Sequence, residues 1–433
     1  MMVEQQNNLE TISQDQLDAL VGLHNRFLEG RIGGRRAVLE KTDLRELSLS
    51  GKDLRQASFT ACLMNKMDLS FSNFQEAALY ACDLSHSNLF QTCFTRADLR
   101  GARIENANLE GADLESADLR VGGIAKDGDF ASNRKAVNFK GANLSGAKLA
   151  GSMASNADFS DATLTGANMA KADLRGATLE GANLSNVDIV GAQMRGANIK
   201  SAILVGVEVS ELRSGGVDLS GAITDENVGT SVSDLTEPLP TLLEHHREWL
   251  RSKGQNGQQL TLDHVDLRIL GSLKMENLTA IKAVNTQFFS MNLYKVQLQS
   301  AVLDGSDFRD CDIEDADLRS SSFKNCNFSH ANLSGANCSA LLLGTTATRR
   351  FNPCNFENAR FRYASFVGAN LKDAIFKGAD LSHADLTGAD LRGADFSGAT
   401  LSSTVLDDVR TDNTIFDRDE SKPVFRIPTG TDE

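Results

Sequence analysis

Few residue combinations in this sequence could carry out chemistry. Seven histidines show no spacing typical of a metal site, and His245 and His246, adjacent on a predicted helix, point in different directions. Residues 132–135 match an SxxK motif but lack the partner motifs of that acyl-transfer class. The pair Gly122-Gly123 lacks the spacing and the Gly-Lys-Ser/Thr ending of a phosphate loop. We therefore predict no enzyme activity, no cofactor and no metal site.

The sharpest cluster of charge lies at residues 304–317. Its acidic side chains, set against the single Arg309, are Asp304, Asp307, Asp310, Asp312, Glu314, Asp315 and Asp317. A cation site and a docking patch for a basic partner are both open alternatives. A solvated outer surface is favoured, because carboxylates spread over 14 residues cannot all converge on one ion.

Composition excludes several functional classes. The 433 residues carry a net charge of −14, shared as 30 acidic and 23 basic side chains in residues 1–232 and 28 and 21 in residues 233–433. This even balance disfavours direct binding to nucleic acid or to an anionic membrane. No apolar run approaches the roughly 18 to 20 residues of a membrane helix, and the polar start MMVEQQNNLE does not resemble a secretory signal. Seven cysteines without CxxC spacing favour free thiols in a reducing cytoplasm.

A five-residue period decides the fold. Apolar residues fall at every fifth position from Leu39 to Leu119, from Phe139 to Val209, from Leu273 to Leu343 and from Phe356 to Leu406, usually with a small residue two positions earlier. A helix would spread these positions around its surface, and one long strand would alternate their faces. A period of five therefore predicts a chain that turns a corner every five residues, with the large and the small residue inside.

Units such as Ala172-Asp173-Leu174-Arg175-Gly176 and Ala389-Asp390-Leu391-Arg392-Gly393 resemble the A(D/N)LXX consensus of the pentapeptide-repeat family. The resemblance covers about three quarters of the chain. It implies an all-β solenoid, a right-handed quadrilateral β-helix with four units per coil, in which residues 20 apart stack.

The aromatic residues offer a test of this coil. Phe356, Phe376, Phe396 and Phe416 are spaced by 20, and so are Phe288, Phe308 and Phe328. Stacked rings along one wall would be favourable. Cys62 and Cys82, also one coil apart, are expected to be stacked free thiols rather than a disulfide.

The organisation predicts a tandem duplication: two β-helices, each preceded by a short capping α-helix. Similar segments at Gln16–Leu28 and Pro240–Leu250 precede the two arrays, with His24 aligned to His246, and a one-residue phase slip follows Leu267. The expected divisions are an N-terminal segment with its helix (1–36), a first β-helix with loop 121–135 (37–223), a linker with the second helix (224–259), a second β-helix with loop 344–353 (260–416) and a tail (417–433). The helices are expected to cover the open ends of the coils.

Function is predicted as a non-catalytic bacterial cytoplasmic scaffold that binds proteins through flat faces and projecting loops. Loop residues predicted to contact a partner are Lys126, Asp127, Arg134, Lys135, Arg349 and Arg350. A homo-oligomer formed by end-to-end or face contact stays open.

Two alternatives remain. The quinolone-resistance branch of the resembled family implies a mimic of duplex DNA that binds a type II topoisomerase. The first array would span about 40 Å, a length over which duplex DNA carries about 24 negative charges. Residues 1–232 have a net charge of only −7, which opposes mimicry. A secreted effector is the other alternative.

Overall fold

The computed structural model describes residues 9–123, 135–214, 216–226, 229–343 and 350–417. The chain divides into two compact units, Met1–Glu226 and Asn227–Glu433. Each unit begins with a short strand and an α-helix, and the repeat array follows. We describe the two units separately.

Parallel β-bridges connect successive coils in each unit. In the first unit they join residues 20 apart in four columns, for example Ser58 to Ala78 in one column and Leu63 to Asp83 in the next. The second unit has the same four columns. Four columns and a 20-residue step mean that one coil has four sides of five residues each. This confirms the four-sided coil that the resemblance implied.

The unit Ala172–Gly176 shows how five residues make one side. Ala172 and Leu174 point inward and are fully buried, while Asp173 between them bridges to Met153 on one coil and Gln193 on the next. The Ala177 N–H donates to the Leu174 carbonyl at 3.0 Å, which closes the corner turn. Gly176 at this corner has φ +68°, a conformation that glycine adopts without steric cost.

Stacked phenylalanines fill the core along the coil axis. Ring centroids are 4.8 Å apart for Phe376 and Phe396 and 4.6 Å apart for Phe288 and Phe308, and both pairs are nearly parallel. The predicted ring columns are thereby confirmed. One column also continues across the second interruption, because Phe328 stacks on Phe361 at 4.9 Å.

Both interruptions leave the coil at a corner and return to the same register. In the first, Asp118 bridges Met153, and Gly122 pairs antiparallel with Lys135. In the second, a strand at Leu341–Leu343 pairs antiparallel with one at Arg350–Asn352. This hairpin begins at Leu341, three residues before the predicted start of the loop. Leu343 continues the five-residue period but belongs to the hairpin rather than to a coil.

The named elements, in chain order, are β1 Glu10–Thr11, α1 Gln14–Leu28, β2 Val38–Glu40, β3 Thr42–Asp43, β4 Ser58–Thr60, α2 Ser210–Ser214, β5 Thr230–Ser231, α3 Leu239–Arg251, β6 Val265–Asp266, β7 Leu341–Leu343 and β8 Arg350–Asn352. Two 3₁₀ turns occupy Val232–Asp234 and Arg268–Leu270.

The predicted phase slip is confirmed: Asp266 bridges Gln287, 21 residues away, and Ser272 bridges Asn292, 20 away. The extra residue is accommodated where the second 3₁₀ turn lies.

A strand and a helix lie against the first coil of each unit; the sequence predicted the helices but not the strands. β1 pairs parallel with β3, and β5 pairs parallel with β6. Leu17 and Val21 of α1 are buried against the core of the first unit. We call β1, α1 and the chain up to Ala37 the first cap, and β5, α3 and the chain up to Leu260 the second cap.

Candidate interaction surfaces

The acidic residues at 304–317 lie on different sides of one coil. Asp307, Asp312 and Asp317 belong to three different bridge columns. Their carboxylates therefore face three directions. Among the residues that the structure describes, no three His, Cys, Asp or Glu side chains are grouped so that they could hold a metal ion.

Most of these carboxylates have partners on their own or an adjacent coil. Asp307 pairs with Arg309 at 2.6 Å, and Arg309 is only 5% exposed. Asp304 accepts from the Ser322 hydroxyl at 2.6 Å and from the Lys324 N–H at 3.0 Å. Asn332 bonds to Asp312 and Glu314, Lys295 pairs with Asp315, and Arg319 pairs with Asp317. The segment is therefore a set of local polar pairs.

An Asp-X-Arg clamp recurs along both arrays. In one example the Arg175 guanidinium donates to both oxygens of Asp173 at 2.8 Å, and the Arg175 N–H donates to Oδ1 at 3.2 Å. These hydrogen bonds from Arg175 lower the pKa of Asp173. The same pairing joins Asp43 to Arg45, Asp53 to Arg55, Asp98 to Arg100, Asp118 to Arg120, Asp266 to Arg268, Asp307 to Arg309, Asp317 to Arg319 and Asp390 to Arg392. Each clamp pairs one aspartate of the consensus with an arginine, which reduces the unpaired negative charge on that side of the coil.

The first interruption is anchored at its base by Tyr80. The Tyr80 hydroxyl donates to the Gly123 carbonyl at 2.7 Å and accepts from the Gly123 N–H at 2.9 Å. The Arg100 guanidinium lies 5.3 Å from the centre of the Tyr80 ring. A Cβ on Gly122 would lie 2.6 Å from the Arg100 carbonyl carbon, so only glycine permits this approach.

The predicted partner-contact residues of this loop are only partly placed. Lys126, Asp127 and Arg134 lie outside the described residues. Lys135 is exposed at the base, where its N–H and carbonyl bond to Gly122.

The second interruption is anchored by Ser320 and carries an exposed apolar pair. The Ser320 hydroxyl donates to the Asn352 carbonyl at 2.6 Å and accepts from the Leu341 N–H at 3.0 Å. Leu342 and Phe351 are direct cross-strand partners, and they are 55% and 58% exposed.

Sequence reasoning had singled out the arginines of this loop and missed the apolar pair. Arg349 lies outside the described residues, and for Arg350 the structure describes its place in β8. The signal that could have found the pair is Leu341-Leu342-Leu343, where two leucines depart from the five-residue period.

Comparison with known proteins assigns the family. A family profile described as "Pentapeptide repeats" matches more than half of the chain, at residues 53–89, 92–120, 138–181, 164–200, 179–210, 292–329, 311–340, 354–393 and 374–410. The chain belongs to the pentapeptide-repeat family. The two repeat arrays of this pentapeptide-repeat protein are accordingly right-handed β-helices.

Solved structures with similar folds include other pentapeptide-repeat proteins. QnrB1, a plasmid-mediated fluoroquinolone resistance protein, is 22% identical in its full-length form, with 44% of this chain and 92% of QnrB1 covered and a TM-score of 0.21. HetL, involved in heterocyst differentiation regulation in Nostoc sp. strain PCC 7120, is 21% identical, with 89% and 92% covered and a TM-score of 0.10. A thylakoid-lumen protein of Arabidopsis thaliana is 28% identical, with 32% and 74% covered and a TM-score of 0.15.

No curated protein sequence matches this pentapeptide-repeat protein. Within the described part of the chain, none of the helices has the length and apolar character required to cross a bilayer.

Proposed function

We propose that this pentapeptide-repeat protein is a non-catalytic scaffold that binds another protein through the hairpin β7–β8. The observation that carries the proposal is the exposed pair Leu342 and Phe351, which are opposite each other on the hairpin. Apolar side chains of this size are more often buried, and adjacent exposed ones are typical of contact sites.

The base of the hairpin supports this role. Ser320 holds both strands of the hairpin, and the side chain of Asn352 donates to the Ser320 carbonyl at 3.1 Å. A fixed base limits the conformational entropy lost when a partner binds. The two arginines at 349 and 350 favour a partner surface that combines an apolar pocket with acidic residues.

The test compares two double variants of the full chain by in-cell crosslinking and mass spectrometry. L342S/F351S removes the apolar pair. I269S/M275S removes two other exposed apolar side chains of the same unit, 82% and 66% exposed, and is the control. We expect L342S/F351S alone to lose a specific crosslinked protein, with unchanged circular dichroism. Equal crosslinking of that protein by both variants would refute the proposed contact site.

Location in the bacterial cytoplasm is part of the proposal. All seven cysteines are free, which supports a reducing compartment. Fractionation of the native cells distinguishes this from the secreted-effector alternative.

Mimicry of DNA is the competing function. The Asp-X-Arg clamps weigh against it, because an aspartate paired with an arginine does not present the unpaired charge of a phosphate. A gyrase supercoiling assay with and without a quinolone tests this function. Inhibition or protection at micromolar protein would favour the mimic over the scaffold.

A further inference from the structure

Each cap contains one fully buried histidine at the same place. His24 of α1 and His246 of α3 are both 0% exposed. Nδ1 of His24 accepts the Ala37 N–H at 3.1 Å, and Nδ1 of His246 accepts the Leu260 N–H at 3.1 Å. Ala37 and Leu260 are the points where the chain leaves the cap and enters the first coil. The histidine therefore ties each helix to the start of its β-helix.

The surroundings of the two rings are also duplicated. His24 stacks on Phe27 at 5.8 Å, and His246 stacks on Trp249 at 5.7 Å. The returning chain passes so close to the helix that a Cβ on Gly34 would lie 2.4 Å from the Phe27 nitrogen. On Gly257 it would lie 2.5 Å from the Trp249 nitrogen. Two copies of one arrangement indicate that the imidazole is a built part of the cap.

The hydrogen bonds fix the protonation state of both rings. Because Nδ1 accepts a backbone N–H, it cannot itself carry a proton. In His24 the neutral ring then has its proton on Nε2, which donates to the Arg55 carbonyl at 3.1 Å. In His246, Nε2 has no hydrogen bond of normal geometry to any described residue, although Thr279 supplies the backbone opposite it, as Arg55 does for His24.

Few charges oppose or favour protonation of these rings. Burial lowers the pKa of His24, and the Arg55 carbonyl and the carboxylate of Asp53 partly oppose the shift, while Arg36 adds to it. Burial likewise lowers the pKa of His246. The charged side chains that join α3 to the first coil of its unit, Arg247 and Glu276, pair with each other at 2.8 Å.

We propose that His24 and His246 are acid-sensitive latches that keep the two caps closed at neutral pH. When Nδ1 takes a proton from solvent, its lone pair is used, and the N–H of Ala37 or Leu260 then faces another N–H. The hydrogen bond is lost, and a charged ring is left buried. The cap then opens and uncovers the backbone of the first coil. In the closed caps the Glu10 N–H donates to the Lys41 carbonyl and the Thr230 N–H donates to the His264 carbonyl, and these hydrogen bonds are lost on opening.

Hydrogen exchange measured by mass spectrometry on the full chain at pH 7.5, 6.5 and 5.5 tests the latches. Rates are corrected for intrinsic exchange. Below pH 6.5, the ordinary pKa of a histidine, the exchange protection of residues 14–28 and 239–251 should fall by up to tenfold per pH unit. The reason is that opening of each cap takes up one proton. Protection of the central coils should not follow this trend.

Asparagine variants separate the two latches. H24N keeps an acceptor near the Nδ1 position but cannot titrate in this range, so it should abolish the pH response of residues 14–28 and leave that of residues 239–251. H246N should do the reverse. H264N changes an exposed histidine beside the second cap and should change neither response. A flat pH profile in the native chain, or an undiminished response in H24N and H246N, would overturn the proposal.

A second measurement remains decisive even if a variant fails to fold. Nitrogen-15 NMR of the native chain reports the protonation state of each histidine ring. A neutral Nε2–H tautomer at pH 6.5 for His24 and His246 is expected, and charged rings at that pH would refute the latch.

Discussion

Removal of one ring from the phenylalanine column of the second unit should destabilise that unit strongly. Phe376 is 0% exposed, stacks on Phe356 at 4.9 Å and on Phe396 at 4.8 Å, and meets the edge of Phe361 at 5.7 Å. Phe→Ala in a core costs about 3–5 kcal/mol, and each ring pair contributes about 0.5–1.5 kcal/mol beyond its buried area. For F376A we expect a loss of about 4 kcal/mol, about a thousandfold in the local opening equilibrium.

The assay is hydrogen exchange of the peptides that cover residues 356–396, analysed as local free energies of opening. F376L keeps an apolar side chain, as Leu303 does in the same inner column, but loses both stacked ring pairs, so we expect an intermediate loss of about 1–3 kcal/mol. F351A, which truncates a ring that is 58% exposed, is the control and should leave these coils within about 0.5 kcal/mol of the native value.

The reasoning depends on enclosed ring stacking along the coil axis. Equal losses in F376A and F351A would refute the role of burial, and an F376L variant as stable as the native chain would refute the contribution of ring stacking.

Four further predictions concern individual residues. Thermal unfolding should show that G22A stabilises the protein by about 1 kcal/mol, because Gly22 lies inside α1 and no atom is within 4 Å of the position a Cβ would take. G122A should instead lose hydrogen-exchange protection at the base of the first loop, because its Cβ would lie 2.6 Å from the Arg100 carbonyl carbon. Lowering the pH below 3.8, the ordinary pKa of an aspartate, should reduce the free energy of unfolding through Asp173. Its pKa is lowered in the folded chain, so the unfolded chain binds the proton first, and carbon-13 NMR titration of the Asp173 carboxyl checks this. Iodoacetamide at pH 8 should modify half-buried Cys93 before Cys311, since burial raises the pKa of the Cys311 thiol well above its usual range, and peptide mapping that finds Cys311 modified first would contradict this.

Much of the fold could be predicted because the repeat is local. Each side of a coil is made by five consecutive residues, so the inward positions of Ala172 and Leu174 follow from the period alone. The 20-residue spacing of the phenylalanines likewise specified which rings stack within each uninterrupted run of coils. The caps were also visible, since His24 aligns with His246, but the sequence did not show that both rings are buried against a backbone N–H.

Only the tertiary structure decided which outer side chains pair and where the hairpins begin. Asp304 looked like one member of an acidic cluster, yet its partners Ser322 and Lys324 come from the next coil. Leu343 satisfied the period, yet antiparallel pairing with Arg350 places it in β7. The sequence by itself determined what each five-residue unit does with its own side chains. Contacts of the outer side chains between coils, and all contacts at the interruptions, depend on atoms brought together from distant positions, and the periodic signal carries no information about them.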